Sequence, residues 1–328
     1  MGHRKLMVRY VLRRLVVSVP VLLIASMVLF WAVRKTFDPV AKLRQSQDPQ
    51  AVQRAIEQQG LDRSLPEQYW LWLRAFAGGD WGSSSRTGED VRSMIVHALW
   101  PTAQLAFWSI AVATVLAALV GVYSAVRQYS GADHFFTGLA YVGISLPAFW
   151  FGLVLIDLLA VGPRQRFGLA EPPLYFIGLH SNGQSGFDLD YLRHLVLPVA
   201  TVSITLVATW SRFARSSMLD ALASDYVRTA RAKGVPRRRV IWRHAARNSA
   251  APFLTVVALD AALLIGGLVV TEQIFAIPGM GRLFFASLGS GDVFVLVPWM
   301  LVVAAAIVLC NLLADIGYAL LDPRVRLR

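Results

Sequence analysis

The sequence predicts an all-α integral membrane protein, and three observations carry the prediction. Of the 328 residues, 56% are hydrophobic and only 16% are charged, and the mean hydropathy is +0.52; soluble domains have more charge and less apolar surface. Six mainly apolar runs are long enough to cross about 30 Å of hydrocarbon as helices. Basic residues concentrate in alternate connecting segments, which is typical of multi-pass membrane proteins.

The six predicted spans set the organisation of the chain. They cover residues 15–33, 99–126, 135–161, 194–211, 251–274 and 296–320. A cleaved signal peptide is the alternative for the first run, but Arg34 and Lys35 follow it where a small-residue cleavage site is required. We therefore expect an N-terminus with an uncleaved first span (1–33), an outer loop (34–98) and a five-span core (99–328).

The distribution of basic residues predicts the orientation. Six spans put both termini on one side of the membrane, and the segments on that side hold 19 Lys and Arg in 69 residues, against 13 in 118 on the other side. The positive-inside tendency places the termini and the loop 212–250 in the cytoplasm. The net charge of +12 then reflects topology, which weakens the alternative of a scaffold that binds nucleic acid through residues 228–247.

The outer loop is predicted to contain two short helices. Asp48 can cap a helix that begins at Pro49 and closes at Gly60. A second helix is expected in the stretch PEQYWLWLRAFAGG, residues 66–79. Its aromatic face lies either at the membrane surface or against the helix bundle. The sequence favours a small cap here, not a separate catalytic domain.

Motifs for catalysis and cofactor binding do not occur in the sequence. There is no G-x-x-x-x-G-K-[ST], HExxH or GxSxG pattern, and the six histidines are scattered. The single cysteine, Cys310, lies in an apolar run, where it is expected to pack as a small hydrophobic residue. We expect no catalytic residue, cofactor or metal site, so a source of energy must lie outside this chain.

The stretch DYVRTARAKGVPRRRVIWRHAARN, residues 225–248, carries eight Lys or Arg residues. Ser224 and Asp225 are expected to start a short helix that runs to Lys233, because Gly234 is a natural stop and Pro236 prevents continuation. A helix about 13 Å long is marginal in water and needs a docking surface.

An apolar strip on this helix distinguishes two interpretations. Tyr226, Val227 and Ala230 form the strip, while Arg228 and Arg231 project elsewhere. A basic loop resting on anionic lipid headgroups explains the charge. It does not explain the clear helix start and stop or the apolar strip, which favour docking to protein.

These residues carry a resemblance to a known family. The run YVRTARAKG at 226–234, followed by Val240-Ile241 and the run HAARN at 244–248, resembles the coupling loop of ABC-importer permeases of the oligopeptide, dipeptide and nickel family. The general importer pattern has Glu-Ala-Ala where this chain has Arg228-Thr229-Ala230, and Gly234 matches its glycine. A Leu-Pro that often follows is missing.

Other stretches resemble the same family along nearly the whole chain. They are Arg13-Arg14-Leu15 with Pro20, Gly60-Leu61-Asp62, Gln68-Tyr69, the run GDWGS at 79–83, Glu272-Gln273-Ile274-Phe275, the run IPGMGRL at 277–283, Asp315, Tyr318 and Asp322-Pro323-Arg324. One departure is the run GDVF at 291–294, where Arg-Asp-Tyr-Pro is expected.

The resemblance implies a six-span type I ABC importer permease in a bacterial cytoplasmic membrane. It further implies a second homologous permease, ABC ATPase subunits and an extracytoplasmic substrate-binding protein as partners, with peptide as cargo and nickel or haem as alternatives. The residues expected to couple the chain to the ATPase are Asp225, Tyr226, Val227, Arg228, Thr229, Ala230, Arg231 and Gly234.

Polar residues within the spans are candidates for the transport path. Thr201, Thr205 and Thr209 recur every four residues on one helix face; back-bonding of their hydroxyls or contact between helices are the alternatives. Asp260 is a carboxylate inside a span, which costs about 2.5 to 3.5 kcal/mol on insertion scales. It is expected to bind a substrate amine or to pair with a partner permease.

A secondary transporter or channel that works without an ATPase is the main alternative function. That class uses an ion gradient and is expected to show inverted repeats and titratable pairs within the membrane. The sequence shows neither clearly. Co-purification with an ATPase distinguishes the two classes.

Overall fold

The computed structural model describes residues 2–37, 49–58 and 60–321, and these residues are mostly helical. The helices are α1 (Gly2–Thr36), α2 (Pro49–Gln58), α3 (Leu65–Ala77), α4 (Val91–Val126), α5 (Gly131–Ser145), α6 (Ala148–Ile156), α7 (Gly162–Phe167), α8 (Leu189–Ala223), α9 (Asp225–Ala232), α10 (Arg237–Arg239), α11 (Arg247–Gly267), α12 (Val269–Ile274), α13 (Met280–Ser290) and α14 (Val293–Leu321). Two π-helical stretches, Asp157–Val161 and Val240–Ala246, join α6 to α7 and α10 to α11.

Five helical segments of the described chain are long and apolar enough to cross a membrane. They are Val16–Thr36, Val91–Val126, Ala148–Phe167, Leu189–Ala223 and Val293–Leu313. The region predicted as the fifth span, 251–274, forms most of α11 and then α12. The two helices are separated at Leu268.

The third predicted span, 135–161, is interrupted in the structure. Helix α5 ends at Ser145, Leu146 is extended, and α6 begins after Pro147. Proline has no N–H to continue the helix and disfavours helical geometry in the residue before it. The apolar run extends through this point without a charge, so hydropathy alone did not reveal the break.

The chain divides into two compact units. The first comprises residues 1–102 and 278–308, and the second comprises 103–277 and 309–328. In the first unit, Phe30 of α1 and Leu296 of α14 are buried in one cluster. Ile95 of α4 and Trp299 of α14 are buried in another.

Helix α3, in the segment predicted as the outer loop, forms as predicted and packs on α1. Glu67 in its first turn accepts a hydrogen bond from the backbone N–H of Ser64, which lies just before the helix. The Tyr69 hydroxyl lies 2.8 Å from the Ser26 hydroxyl and 3.1 Å from the Leu23 carbonyl oxygen. The aromatic face of α3 is therefore used for packing within the unit. Asp48, the predicted cap of α2, lies outside the described residues.

The start of α14 accounts for the glycine in the departure at residues 291–294. Gly291 ends α13 in the left-handed conformation, with φ +66°, and a Cβ there would lie 3.2 Å from the Phe37 ring. Asp292 is buried and accepts hydrogen bonds from the Ser84 hydroxyl at 2.6 Å and from the Ser85 N–H at 3.3 Å. Glycine thus suits position 291 in this chain, since a side chain there is strained and crowded.

Helix α8 is the central packing element of the second unit. A glycine on each of three neighbouring helices faces it closely: Gly121 of α4 faces Ala214, Gly143 of α5 faces Ala208, and Gly152 of α6 faces Thr201. Small residues let helix backbones approach each other, which is how helices associate in a membrane. This packing holds α8 and the loop that follows it.

Candidate functional site

Helix α9 lies directly after α8, and it starts and ends close to the predicted residues. It runs from Asp225 to Ala232 and ends one residue before the predicted Lys233. Gly234 has φ +74°, and the N–H groups of Gly234 and Val235 donate to the carbonyls of Arg231 and Ala230. This pair of hydrogen bonds is a Schellman motif, which requires a residue in the left-handed conformation and is best served by glycine. The predicted role of Gly234 as the helix stop is confirmed.

The docking surface of α9 belongs to its own chain. Val227 and Ala230 are buried in a cluster with Ala125 of α4, Met218 of α8 and Val240. The sequence interpretation that the helix lacks a docking surface without a partner is therefore corrected. An eight-residue helix is marginal alone, and burial of these two side chains stabilises it within the unit.

Tyr226 does not follow the other two residues of the predicted apolar strip. Its side chain is 41% exposed, because only Val227 and Ala230, three residues apart, face the cluster. Tyr226 lies instead on the outward surface of α9.

The outward surface of α9 is strongly polar. It consists of Asp225, Tyr226, Arg228, Thr229 and Arg231, all of which are exposed. The Arg228 guanidinium lies 3.6 Å from the Asp225 carboxylate, with side chains 81% and 95% exposed. An ion pair this exposed contributes little to stability. The charges on this surface are therefore available to a partner at small cost.

The π-helical stretch Val240–Ala246 follows α9 and was not predicted. It places Val240 and Ala245 in the cluster that holds α9. The sequence pattern shows only a basic, amphipathic run here. The stretch packs against α8 and α9, and such stretches often occur at functional sites.

The three threonines of the predicted path differ in burial and in hydrogen bonding. Thr201 is fully buried, and its hydroxyl donates to the Leu197 carbonyl at 2.8 Å. The Thr209 hydroxyl donates to the Thr205 carbonyl at 3.0 Å. The Thr205 hydroxyl is buried and, within the described part of the chain, has no hydrogen-bond partner. Thr201 serves packing in this conformation, while Thr205 and Thr209 are half-buried.

Asp260 is not brought together with the threonines. Its carboxylate accepts a hydrogen bond of 2.7 Å from the Trp210 indole N–H. Trp210 follows Thr205 by five residues, which turns it roughly 140° away around α8. The contact joins α11 to α8 and gives a buried indole its partner.

A buried ion pair that sequence reasoning missed lies at the C-terminal half of α8. Arg215 donates from Nε and Nη2 to the two carboxylate oxygens of Asp133, at 2.8 and 2.7 Å. The hydrogen bonds from this guanidinium hold the pKa of Asp133 below its usual range. The residues are 82 positions apart, and no local spacing marks them as partners.

This ion pair forms part of the lining of a cavity of about 620 Å³. Helix α5 contributes His134 and Tyr141, and α8 contributes Thr209 and Arg212. The Arg212 guanidinium lies 4.8 Å from the centre of the Tyr141 ring, a cation–π distance. The cavity therefore lies beside one of the predicted path residues.

Two family descriptions cover most of the chain. Residues 117–327 match the binding-protein-dependent transport system inner membrane component. Residues 7–102 match the N-terminal membrane component of the same transport systems. The predicted family resemblance is confirmed by both matches.

Individual relatives extend over nearly the full length. The oligopeptide transport system permease protein AppB of Bacillus subtilis is 36% identical over 322 residues, which cover 97% of this chain and 99% of that protein. The dipeptide transport system permease protein DppB of Alkalihalophilus pseudofirmus is 34% identical over 332 residues, with 98% and 100% covered. DppB of Escherichia coli K12 is 33% identical over 343 residues, with 98% and 99% covered.

A solved structure shares the fold. An inward-facing form of the MetNI methionine ABC transporter aligns with a TM-score of 0.56 and 14% identity, covering 71% of this chain and 99% of that chain. At this identity the likeness concerns the fold alone, and it confirms the predicted type I importer permease architecture. Taken with the matches along its length, the chain belongs to the family of membrane components of binding-protein-dependent transport systems, and it is a multi-pass membrane protein.

Proposed function

We propose that this chain is the permease subunit of an ATP-driven peptide importer and forms half of its transport path. The partners would be a second, homologous permease, ABC ATPase subunits in the cytoplasm and an extracytoplasmic substrate-binding protein. The chain would lie in the bacterial cytoplasmic membrane with both termini in the cytoplasm. Hydrolysis of ATP would take place on the ATPase chains.

The shape of α9 is the observation that carries this proposal. Its inner side is anchored in the chain's own core through Val227 and Ala230, and its outer side is exposed and polar. A helix held in this way moves with α8 and α11, to which its loop is joined. A force applied to the outer side by a closing ATPase would therefore reach the spans. For ATP to drive the change, it must bind one state of the assembly more tightly than the other.

The proposal of peptide as cargo rests on the relatives of this chain. Relatives at 33 to 36% identity are described as oligopeptide or dipeptide permease proteins. Nickel complexes and haem remain alternatives, because the substrate-binding protein selects the cargo in the proposed assembly. Uptake assays with each class of solute distinguish them.

The test of the proposed function is purification of the tagged chain from its native membrane. We expect an ABC ATPase to co-purify and the reconstituted complex to import a labelled peptide only with ATP and the binding protein. A chain that purifies without an ATPase and transports in response to an ion gradient would establish the alternative class.

Substitution of Gly234 by valine is expected to uncouple ATP hydrolysis from peptide uptake. A β-branched residue in the left-handed conformation costs about 1 to 2 kcal/mol, so the end of α9 would change its geometry. No described atom lies within 4 Å of a Cβ at this position, so backbone strain is the main cause. The measurement is the number of peptides imported per ATP hydrolysed in proteoliposomes.

Gly234→Asn is the matched control, because asparagine tolerates the left-handed conformation. It adds a side chain at the same place and should keep the ratio close to the wild-type value. Wild-type coupling in Gly234→Val would remove Gly234 from the coupling residues.

A further inference from the structure

The polar track on α8 continues beyond the three predicted threonines. Thr205, Thr209, Arg212, Ser216 and Asp220 lie within roughly 80° on one helix face. Thr205 and Thr209 are half-buried, and the next three are exposed. The predicted fourth span ends at residue 211, so Arg212, Ser216 and Asp220 lie at its predicted cytoplasmic end. The polar face therefore leads from the half-buried threonines to water, which suits the cytoplasmic mouth of the proposed transport path.

The cavity beside this track has the size of a ligand site. Thr209, Arg212 and Ser216 line it from α8, and His134 and Tyr141 line it from α5. Its volume of about 620 Å³ falls within the range of about 300 to 1,000 Å³ that small-molecule sites occupy. A short peptide segment fits such a volume.

Of the charged side chains that the structure describes in the cavity lining, Arg212 has no carboxylate partner. Asp133 and Arg215 neutralise each other through two hydrogen bonds, and the Tyr129 N–H also donates to Asp133 at 2.9 Å. In the described ranges, no carboxylate lies within ion-pair distance of Arg212. The lining therefore favours an anion, and a guanidinium matches the geometry of a carboxylate.

We propose that Arg212 binds the C-terminal carboxylate of a peptide that passes through this path. The proposal rests on the proposed function and names the part of the substrate that this chain recognises. The hydroxyls of Thr209 and Ser216 lie on the same face and can contact the peptide backbone. A lipid phosphate is the competing anion, but a lining that carries the hydroxyls of Thr209 and Ser216 beside Arg212 suits a polar chain better than an acyl tail.

A labelling experiment on the complete transporter tests the site without depending on delivery by the binding protein. In inside-out membrane vesicles, Ser216→Cys in a Cys310→Ala background places one thiol of this chain at the cavity. The rate of its reaction with an impermeant maleimide is measured with trialanine and with trialanine amide. We expect trialanine to slow the reaction and the amide, which has no carboxylate, to have much less effect.

Two variants report on Arg212 itself. Arg212→Gln should raise the half-protecting concentration of trialanine at least about tenfold, the loss expected for a charge-assisted hydrogen bond. Arg212→Lys keeps the positive charge but cannot donate two parallel hydrogen bonds to one carboxylate as a guanidinium does. Its effect should therefore be smaller than that of Arg212→Gln. An unchanged labelling rate without peptide shows that the cavity is intact in each variant.

Three results would overturn the proposal. They are equal protection by the amide, protection that Arg212→Gln leaves unchanged, and a labelling rate that follows the phosphatidylglycerol content of the vesicles without peptide. Uptake of peptide by the same transporter is measured in parallel. If uptake is normal and protection is absent, the Arg212 site fails while the proposed function stands.

Discussion

Gly121→Ala is expected to destabilise the protein more than a single methyl group normally does. A Cβ at this position would lie 2.5 Å from the Ala214 Cβ and 2.8 Å from both the Arg215 nitrogen and the Ser211 carbonyl oxygen. Two of these three atoms are backbone, so relief requires α4 and α8 to move apart. Overpacking of this kind costs about 1 to 3 kcal/mol. We expect a lower midpoint of thermal unfolding in detergent and reduced uptake.

Gly138→Ala is the matched control for this prediction. Gly138 also lies within a helix, α5, but no described atom is within 4 Å of its added Cβ. Alanine is the better helix former by about 0.5 to 1 kcal/mol, so this variant should be as stable as the wild type or slightly more stable. Equal unfolding midpoints for the two variants would contradict the close crossing of α4 and α8.

Asp133→Asn is expected to cost about 2 to 3 kcal/mol of stability. The Asp133 side chain is 4% exposed and its Arg215 partner is 27% exposed. The variant keeps the shape of the side chain but leaves the guanidinium without a counter-charge. Thermal unfolding of the purified protein in detergent measures the loss, which should appear as a clear fall in the unfolding midpoint.

The Asp133–Arg215 ion pair predicts that the stability of the protein depends on pH. Because the pKa of Asp133 is lowered in the folded protein, the pair contributes fully above the unfolded value of about 3.9. Its contribution disappears as the pH falls through the folded pKa. The stability difference between wild type and Asp133→Asn should therefore be constant near neutrality and shrink only in strong acid.

Asp225→Asn is the control for Asp133→Asn. It removes the same charge from an ion pair in which both side chains are more than four-fifths exposed, so its effect on unfolding should be below about 1 kcal/mol. A cost for Asp225→Asn as large as that for Asp133→Asn would show that burial does not decide the strength of these pairs.

The structure also changed the interpretation of α9. The sequence marks its ends, because an acidic first turn and left-handed termination depend on residues a few positions apart, such as Asp225 and Gly234. Which side of α9 is buried depends on the other helices that it packs against. Val227 and Ala230 meet Ala125 and Met218, residues from two other helices, so the apparent need for an external docking surface disappeared once the fold was known.

The sequence by itself determined the membrane class, the family, the start and stop of α9 and the spacing of the threonines on α8. The family follows from motifs along the chain that resemble it, and the others follow from composition or from spacings within one helix. Only the tertiary structure decided the partners of Asp133 and Asp260, the tight crossing at Gly121 and the cavity beside Arg212. These features join residues on different helices, and such contacts are set by packing over the whole unit, which no local period in the sequence records.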